Sequence, residues 1–297
     1  MYFCQKTEMT SIKDWSSLVK ISHLIFSLPF AFIGFGLAYV SFAQNFDFYL
    51  LLYVFLAVFF ARNAAMAFNR IVDKEFDARN ERTKNREIPA RKIKHTSALA
   101  FVGLNSVLFI LVTFFINPLC FYLSFVALAV ILGYSYSKRF TYLSHYLLGM
   151  SLAIAPMGAY LTLSGTFDLV PILISFVVLF WVSGFDILYS LQDEEFDREQ
   201  SLHSVPARFG RKKALIIARI GHLFSVLMLL AVAMLMDAGI WNYVGLILFS
   251  AILLYEHSIV KVHDISRVNF AFAFLNGMAG IVYATFFLFD LFVFYIF

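Results

Sequence analysis

The chain has 297 residues, of which 61% are hydrophobic and 14% charged, with a mean hydropathy of +0.81 and a formal net charge of +4. A soluble domain of this length carries nearer a quarter charged residues, so soluble enzymes and soluble scaffolds are excluded, and the modest charge gives no reason to expect a nucleic-acid partner. What remains is a polytopic membrane protein embedded in the lipid bilayer.

Taken in chain order, nine apolar runs are long enough to span, with limits near 21–43, 48–69, 97–116, 119–137, 143–163, 169–191, 214–236, 240–260 and 270–296. The N-terminus shows no basic region leading into a short apolar stretch and a small-residue cleavage site, and the first run is long enough to span, so it reads as a retained helix. Cys4 and Cys120 match no metal-ligand spacing and no disulfide framework, and read as free thiols. Alternate connections are very short, "QNFD", "NP", "SGTFD" and "DAG". Lys6, Lys13 and Lys20 precede the first run, nine Lys and Arg lie between Arg70 and Lys94, and the rest follow the fourth, sixth and eighth runs or lie about two turns inside a run. The opposite side carries only Asp47, Asp168, Asp237 and Asp290. The positive-inside rule then sets the N-terminus in the cytoplasm and the C-terminus outside. The expected fold is an all-α membrane protein: one domain over 1–297, nine helices, and cytoplasmic motif loops after helices two and six.

Those two loops echo each other. Asp73 to Asp77 and Asp193 to Asp197 both read D-x-E-F-D, and both loops run on to P-A-R, at Pro89 and Pro206. The shared stretch is short and suggests a weak internal duplication. Asn69, Asp73 and Asp77 recur every four residues, as do Tyr189, Asp193 and Asp197, with Asp186 seven residues before Asp193. Residues four apart share a helix face, and eight residues rise about 12 Å. Each set forms an acidic stripe at the inner end of its helix, while Glu75 points elsewhere. Like charges so spaced repel, so a cation is expected nearby. One such stripe alone would read as a solvated loop. Two with the same pattern suit Mg2+, which takes oxygen ligands and bridges to phosphates; no loop has the spacing of a calcium-binding EF-hand.

N-x-x-x-D-x-x-x-D after the second helix, and D-x-x-Y-x-x-x-D-x-x-x-D after the sixth, resemble the two signatures of the UbiA-type intramembrane prenyltransferases. "YSYSKR" after the fourth helix is similar to the family's Y-x-x-x-K element, here Tyr134 and Lys138. With nine helices, the resemblance covers the whole chain. It implies transfer of a polyprenyl group from polyprenyl diphosphate to an acceptor, often a small aromatic ring. It further implies Mg2+ held by Asp73, Asp77, Asp193 and Asp197, with Asn69 as ligand or orienter and Asp186 as a further catalytic carboxylate. Arg62, Lys138, Arg139, Arg82 and Arg86 are the candidate cations for the diphosphate. Tyr134 and Tyr189 are the candidate aromatic faces for an allylic cation. Arg62 lies inside the apolar run and shares a face with Asn69, which favours diphosphate or acceptor-carboxylate binding over snorkelling.

Some residues depart from the family pattern. Lys20 stands where the family often has Arg, and is expected either to contact an acceptor carboxylate or to anchor the helix. His23 reads as structural and His203 as solvated. The family's R-T-x-x-R-P becomes "RTKNRE", with Glu87 in place of proline, so the loop is expected to close differently. "VKISHLIFSLPFA" and "NFAFAFLNGMAG" look most like bacterial members resembling 4-hydroxybenzoate polyprenyltransferases in quinone synthesis. Other acceptors in view are a naphthoate and the vinyl group of haem. A cation transporter is the reading from another class, but it would place charge near the bilayer midplane.

Overall fold

In hydrocarbon every backbone N–H and C=O must be satisfied within its own segment, so apolar runs of this length become helices. The structure, a computed structural model, describes residues 11–42 and 47–296. Cys4, Lys6 and most of the "QNFD" turn lie outside the described residues. The described elements, in order, are α1 (Ile12–Val19), α2 (Leu28–Phe42), α3 (Phe48–Val72), α4 (Lys74–Arg79), α5 (His95–Ile116), α6 (Pro118–Gly133), α7 (Ser144–Ser164), α8 (Leu169–Ser190), α9 (Glu194–Glu199), α10 (Val205–Leu235), α11 (Ile240–Ile259), α12 (Val268–Phe270) and α13 (Asn276–Ile296). Tight 3-10 turns cover Ile21–Phe26, Tyr134–Arg139 and Leu191–Asp193, and a π-turn covers Ala271–Leu275.

Among the described residues, eight helices are long and apolar enough to cross a membrane, and a ninth span results if the bent pair Ile12–Phe26 and Leu28–Phe42 is counted as one. The molecule is an integral membrane protein. Helix starts follow local chemistry. Asp47 Oδ1 accepts from the N–H groups of Tyr49 and Leu50 at 2.8 and 3.2 Å, capping α3. Asn117 caps α6 from just before Pro118.

The first span is not the straight helix expected over 21–43. Lys20 adopts a left-handed φ of 49°, a 3-10 turn follows, and the chain bends by 47° before α2. Pro29 gives the reason: it has no N–H to donate back to the preceding turn, while its fixed φ fits the first turn of a new helix. The interruption brings His23 and Phe26 to the wall of the central cavity. A second interruption lies at Gly210, whose φ of +76° suits glycine and separates the turn after Ser204 from the long apolar part of α10.

α8 is the central post. It packs against α7 on one side and α10 on the other, burying Trp181, Val182 and Phe185 among Phe26, Phe30, Phe249 and Phe287. α2 crosses α7 so closely that a Cβ on Gly34 would run into the carbonyl of Pro156. An apolar channel opens between α3, α5, α6 and α7 and is closed on one side by the first half of α8.

Candidate active site

The acidic stripes form because α3 and α8 continue past their apolar ends. The Asp73 N–H still donates to the Asn69 carbonyl at 2.9 Å, and the Asp77 N–H to the Asp73 carbonyl at 2.8 Å, so helical register survives a small hinge at Asp73. The second stripe passes through a 3-10 turn into α9 in the same way. The two stripes face each other across a cavity of about 780 Å³. Lining it are Asn69, Asp73, Asp77, Asp186, Asp193 and Asp197, together with Lys20, Arg62, Arg82, Arg86, Tyr134, Lys138 and Tyr189.

Cations hold three of the carboxylates. Arg82 forks onto Asp193, with Nε to Oδ1 at 3.0 Å, and its Nη1 donates to the Tyr189 hydroxyl at 2.9 Å. Asn80 Nδ2 reaches the same Asp193 Oδ1 at 3.0 Å. Arg86 Nη1 pairs with Asp77 Oδ1 at 2.6 Å, and Lys138 Nζ with Asp197 Oδ2 at 3.1 Å. The loop after α3 therefore closes over the second motif, with Arg79 bonded to Gln200 at its edge. Asp193 reinforces the Arg82 guanidinium and holds its pKa above the usual value despite burial.

Asp73 is the exception. Its hydrogen-bonding partner is an amide, Asn69 Nδ2 at 3.0 Å from Oδ2. Burial, and then the neighbouring Asp77, push its carboxyl up to about 6. The second oxygen of Asp77, Oδ2, is buried without a partner. An under-neutralised carboxylate beside an orphaned carboxylate oxygen fits a divalent cation with oxygen preference. Among the described residues no three acidic, His or Cys side chains converge on one point, so the fit is to two facing jaws and not to a closed protein cage.

Arg139 does not join the cavity. Adjacent residues of a 3-10 turn point about 120° apart, so while Lys138 faces Asp197, the Arg139 Nη2 caps the Val72 carbonyl at 2.7 Å and its guanidinium lies over Phe76 and Tyr136. Glu87, the departure from the family loop, is buried at the cavity wall, and its carbonyl accepts from Lys92 and Ile93 at 2.9 and 3.1 Å. His203 is exposed, and its backbone N–H donates to the Lys138 carbonyl at 2.6 Å.

Two neighbours escaped the sequence reading. Arg70, one residue past Asn69, lines the cavity at 7% exposure; the four-residue spacing passes over it. His145, fully buried on α7, places Nδ1 2.7 Å from Asp186 Oδ2, and the Val205 N–H points at its Nε2 from 3.2 Å. A ring nitrogen that accepts an N–H carries no proton, so Nδ1 holds the hydrogen and donates it to Asp186. A single histidine in an apolar helix gives no sign of this in sequence. His145→Ala is expected to leave the Val205 N–H and Asp186 short of partners and lower the thermal midpoint in detergent by about 5 °C or more; an unchanged midpoint would show the contact to be idle.

With this geometry in place, the comparisons with known proteins are specific. The sequence profile of the UbiA prenyltransferase family matches residues 27–278. The chain belongs to that family. It is a membrane prenyltransferase, and its relatives agree. The 4-hydroxybenzoate octaprenyltransferase of Aeromonas salmonicida is 30% identical over 231 residues, which is 78% of this chain and 79% of that one. The protein of the same name from Marinobacter nauticus is 29% identical over 75% of each chain. A UbiA homologue from Aeropyrum pernix K1, solved in its apo form, superposes with a TM-score of 0.82 at 29% identity, covering 91% of this chain and 98% of that one. A UbiA homologue from Archaeoglobus fulgidus, solved bound to DMAPP and Mg2+, superposes at 0.68 with 21% identity over 90% and 99% of the two chains. That last likeness is one of fold.

Proposed function

We propose that this UbiA-family enzyme transfers a polyprenyl group from polyprenyl diphosphate to an aromatic acid of the 4-hydroxybenzoate type, with Mg2+, in respiratory quinone synthesis. One observation carries the reading. The polar cavity continues into an apolar channel of about 570 Å³, and Arg62, Tyr134, Leu148 and Leu152 line both. A charged head with a long apolar tail is the ligand that fills such a pair of spaces. The relatives named 4-hydroxybenzoate octaprenyltransferase support the acceptor class, and the Mg2+ and DMAPP of the A. fulgidus homologue support the donor chemistry.

The residues divide the work. Asp73 and Asp77 on one jaw, with Asp193 and Asp197 on the other, would hold Mg2+, which supplies the positive charge that weakens the allylic C–O bond. Asn69 fixes the Asp73 rotamer. Arg86 and Lys138 turn from carboxylates to diphosphate oxygens as the donor enters, an exchange of one anion for another. Small residues of α3, Ala57, Ala61 and Ala65, leave room for the tail. Arg62 places positive charge where head and tail meet, and Tyr134 and Tyr189 present ring faces to the electron-poor allylic carbon. Arg82, pinned to Asp193 and Tyr189, closes the mouth against water. The motif loops face the cytoplasm in this reading, with the N-terminus inside, the C-terminus outside, and the chain acting as one domain.

Purified protein with Mg2+, a labelled polyprenyl diphosphate and 4-hydroxybenzoate should yield a prenylated acid. A panel that includes naphthoates and haem ranks the acceptors, and ion flux in proteoliposomes without any transfer would return the transporter reading. The metal dependence carries a pH signature. A carboxyl whose pKa is raised to about 6 keeps its proton further up the scale, so Mg2+ affinity is expected to be level above that pH and to fall about tenfold per unit below it. Calorimetric titration between about pH 5 and 8 measures this, and an affinity flat through that window would remove Asp73 from the metal site.

A further inference from the structure

Asn276 stands where the π-turn Ala271–Leu275 passes into α13, and it is fully buried. Each polar atom of its side chain is engaged. Trp181 Nε1, on α8, can only donate, and it bonds Asn276 Oδ1 at 2.9 Å. Asn276 Nδ2 gives one hydrogen to Glu256 Oε1 of α11 at 2.7 Å and the other to the Ala271 carbonyl at 3.0 Å. The backbone N–H of Asn276 reaches that same carbonyl. One residue thus ties α8 to α11 and closes the π-turn with both its main chain and its side chain. Trp181 and Glu256 are buried as well, so water does not compete for these bonds, and removing one partner leaves another unsatisfied.

π-turns are rare and recur at functional sites. This one carries Phe272, which lines the polar cavity. The Phe272 ring lies 4.3 Å from Tyr189 and 5.4 Å from each of His23, Phe26 and Phe185. Tyr189 in turn accepts from Arg82, which is forked onto Asp193. A continuous path of contacts runs from the buried amide, through the turn and Phe272, to the second motif. A bond from residue i to i+5 puts one more residue into the turn than an α-helix holds. The placement of Phe272 therefore depends on the bonds made to the Ala271 carbonyl.

We infer that Asn276 is a positioning residue for prenyl transfer: by holding the π-turn it keeps Phe272 against Tyr189, and so fixes the aromatic face offered to the allylic carbon. This rests on the proposed function, in which Tyr189 faces that carbon. In transfer, the allylic C–O bond breaks with its electron pair on the diphosphate, and the acceptor ring supplies the pair for the new C–C bond and releases a proton to solvent. In the competing hydrolysis, water supplies that pair and loses the proton, giving the prenyl alcohol. A Tyr189 ring without its wall stabilises the allylic carbon less well and admits water to it.

The test reads product ratio beside stability. Transfer and hydrolysis of a labelled polyprenyl diphosphate are measured together, with Mg2+ and 4-hydroxybenzoate, and the thermal midpoint is measured in detergent. Phe272→Leu should lower the ratio of transfer to hydrolysis by about tenfold, the size of one well-placed cation–π contact. Asn276→Asp should lower the ratio likewise and also lower the midpoint, because it sets a carboxylate against Glu256 and takes the side-chain donor from the Ala271 carbonyl. In the double variant Asn276→Asp with Glu256→Gln, the glutamine amide can donate to the aspartate, so the midpoint should return most of the way. The Ala271 carbonyl still lacks that donor, so the ratio should stay low. A ratio that recovers together with the midpoint, or an Asn276→Asp chain that loses stability at the wild-type ratio, makes the role structural and overturns the assignment. Phe272→Leu leaves the amide untouched and decides the case even where the Asn276 variants do not fold: a wild-type ratio there overturns it. These outcomes leave the proposed function standing, whereas no transfer by the wild-type chain to any aromatic acid sinks the proposed function and this role with it.

Discussion

Asp73→Ala and Asp193→Ala are each expected to lower prenyl transfer by about 10³-fold or more. The two residues stand on opposite jaws, so neither can cover for the other. A lost divalent ligand removes several kcal/mol of charge stabilisation from a step in which a diphosphate departs, and each 1.36 kcal/mol is a factor of ten in rate. Asp193 has a second task, because it anchors Arg82 and Asn80 of the opposite loop. Its loss should therefore also raise hydrolysis of the donor relative to transfer, as the mouth loosens. Asp73 has no such cross-loop bond, only Asn69, so its variant should lose rate with no change in that ratio. Glu75 lies in the same D-x-E-F-D run but is exposed on α4, and Glu75→Gln should behave like the wild type. Labelled transfer and hydrolysis assays over a range of Mg2+ decide the matter. Full activity in both aspartate variants would overturn the two-jawed metal assignment.

Gly158→Phe is expected to change which donors are accepted. Gly158 lines the apolar channel, and a Cβ there meets nothing within 4 Å, so a ring can enter the channel without straining α7. A phenyl group there narrows a channel whose volume is about 570 Å³. Short prenyl diphosphates, whose tails end before the ring, should still react. Long polyprenyl donors should lose about 100-fold or more in kcat/KM, since an excluded tail forfeits its apolar burial at about 25 cal/mol per Å². Assays with a series of donors of increasing length measure the cut-off. An unchanged preference would mean that the tail takes another path, and the channel would lose its role.

Much of this site could be read before any coordinates, for a physical reason. The motif residues repeat at four-residue intervals on helix ends, so Asn69, Asp73 and Asp77 share a face by local geometry alone, and the apolar runs define the spans in the same local way. What could not be read depends on contacts between distant segments. Nothing in the sequence says that Arg82 takes Asp193 while Arg86 takes Asp77, because both arginines lie on one loop with four carboxylates in reach. Arg139 looked equivalent to Lys138, its neighbour, until the tightness of the 3-10 turn separated them. Pro29 was visible in the first run, but the bend it permits, which turns His23 and Phe26 inward, needed the packing of α2 on α7 to fix it. His145 and Arg70 were missed because each gains its meaning from what lies across from it.

The pairing of the two motif loops also bears on how the protein is made. Arg82 reaches Asp193 across 111 residues, and Lys138 reaches Asp197 across 59. A ribosome delivers the cations of these pairs first and their anions much later. The nascent chain carries Arg82 and Lys138 without those partners until the second acidic stripe has emerged. Closure of the cavity is therefore a late event of biogenesis, reached only after both halves of the bundle have entered the bilayer.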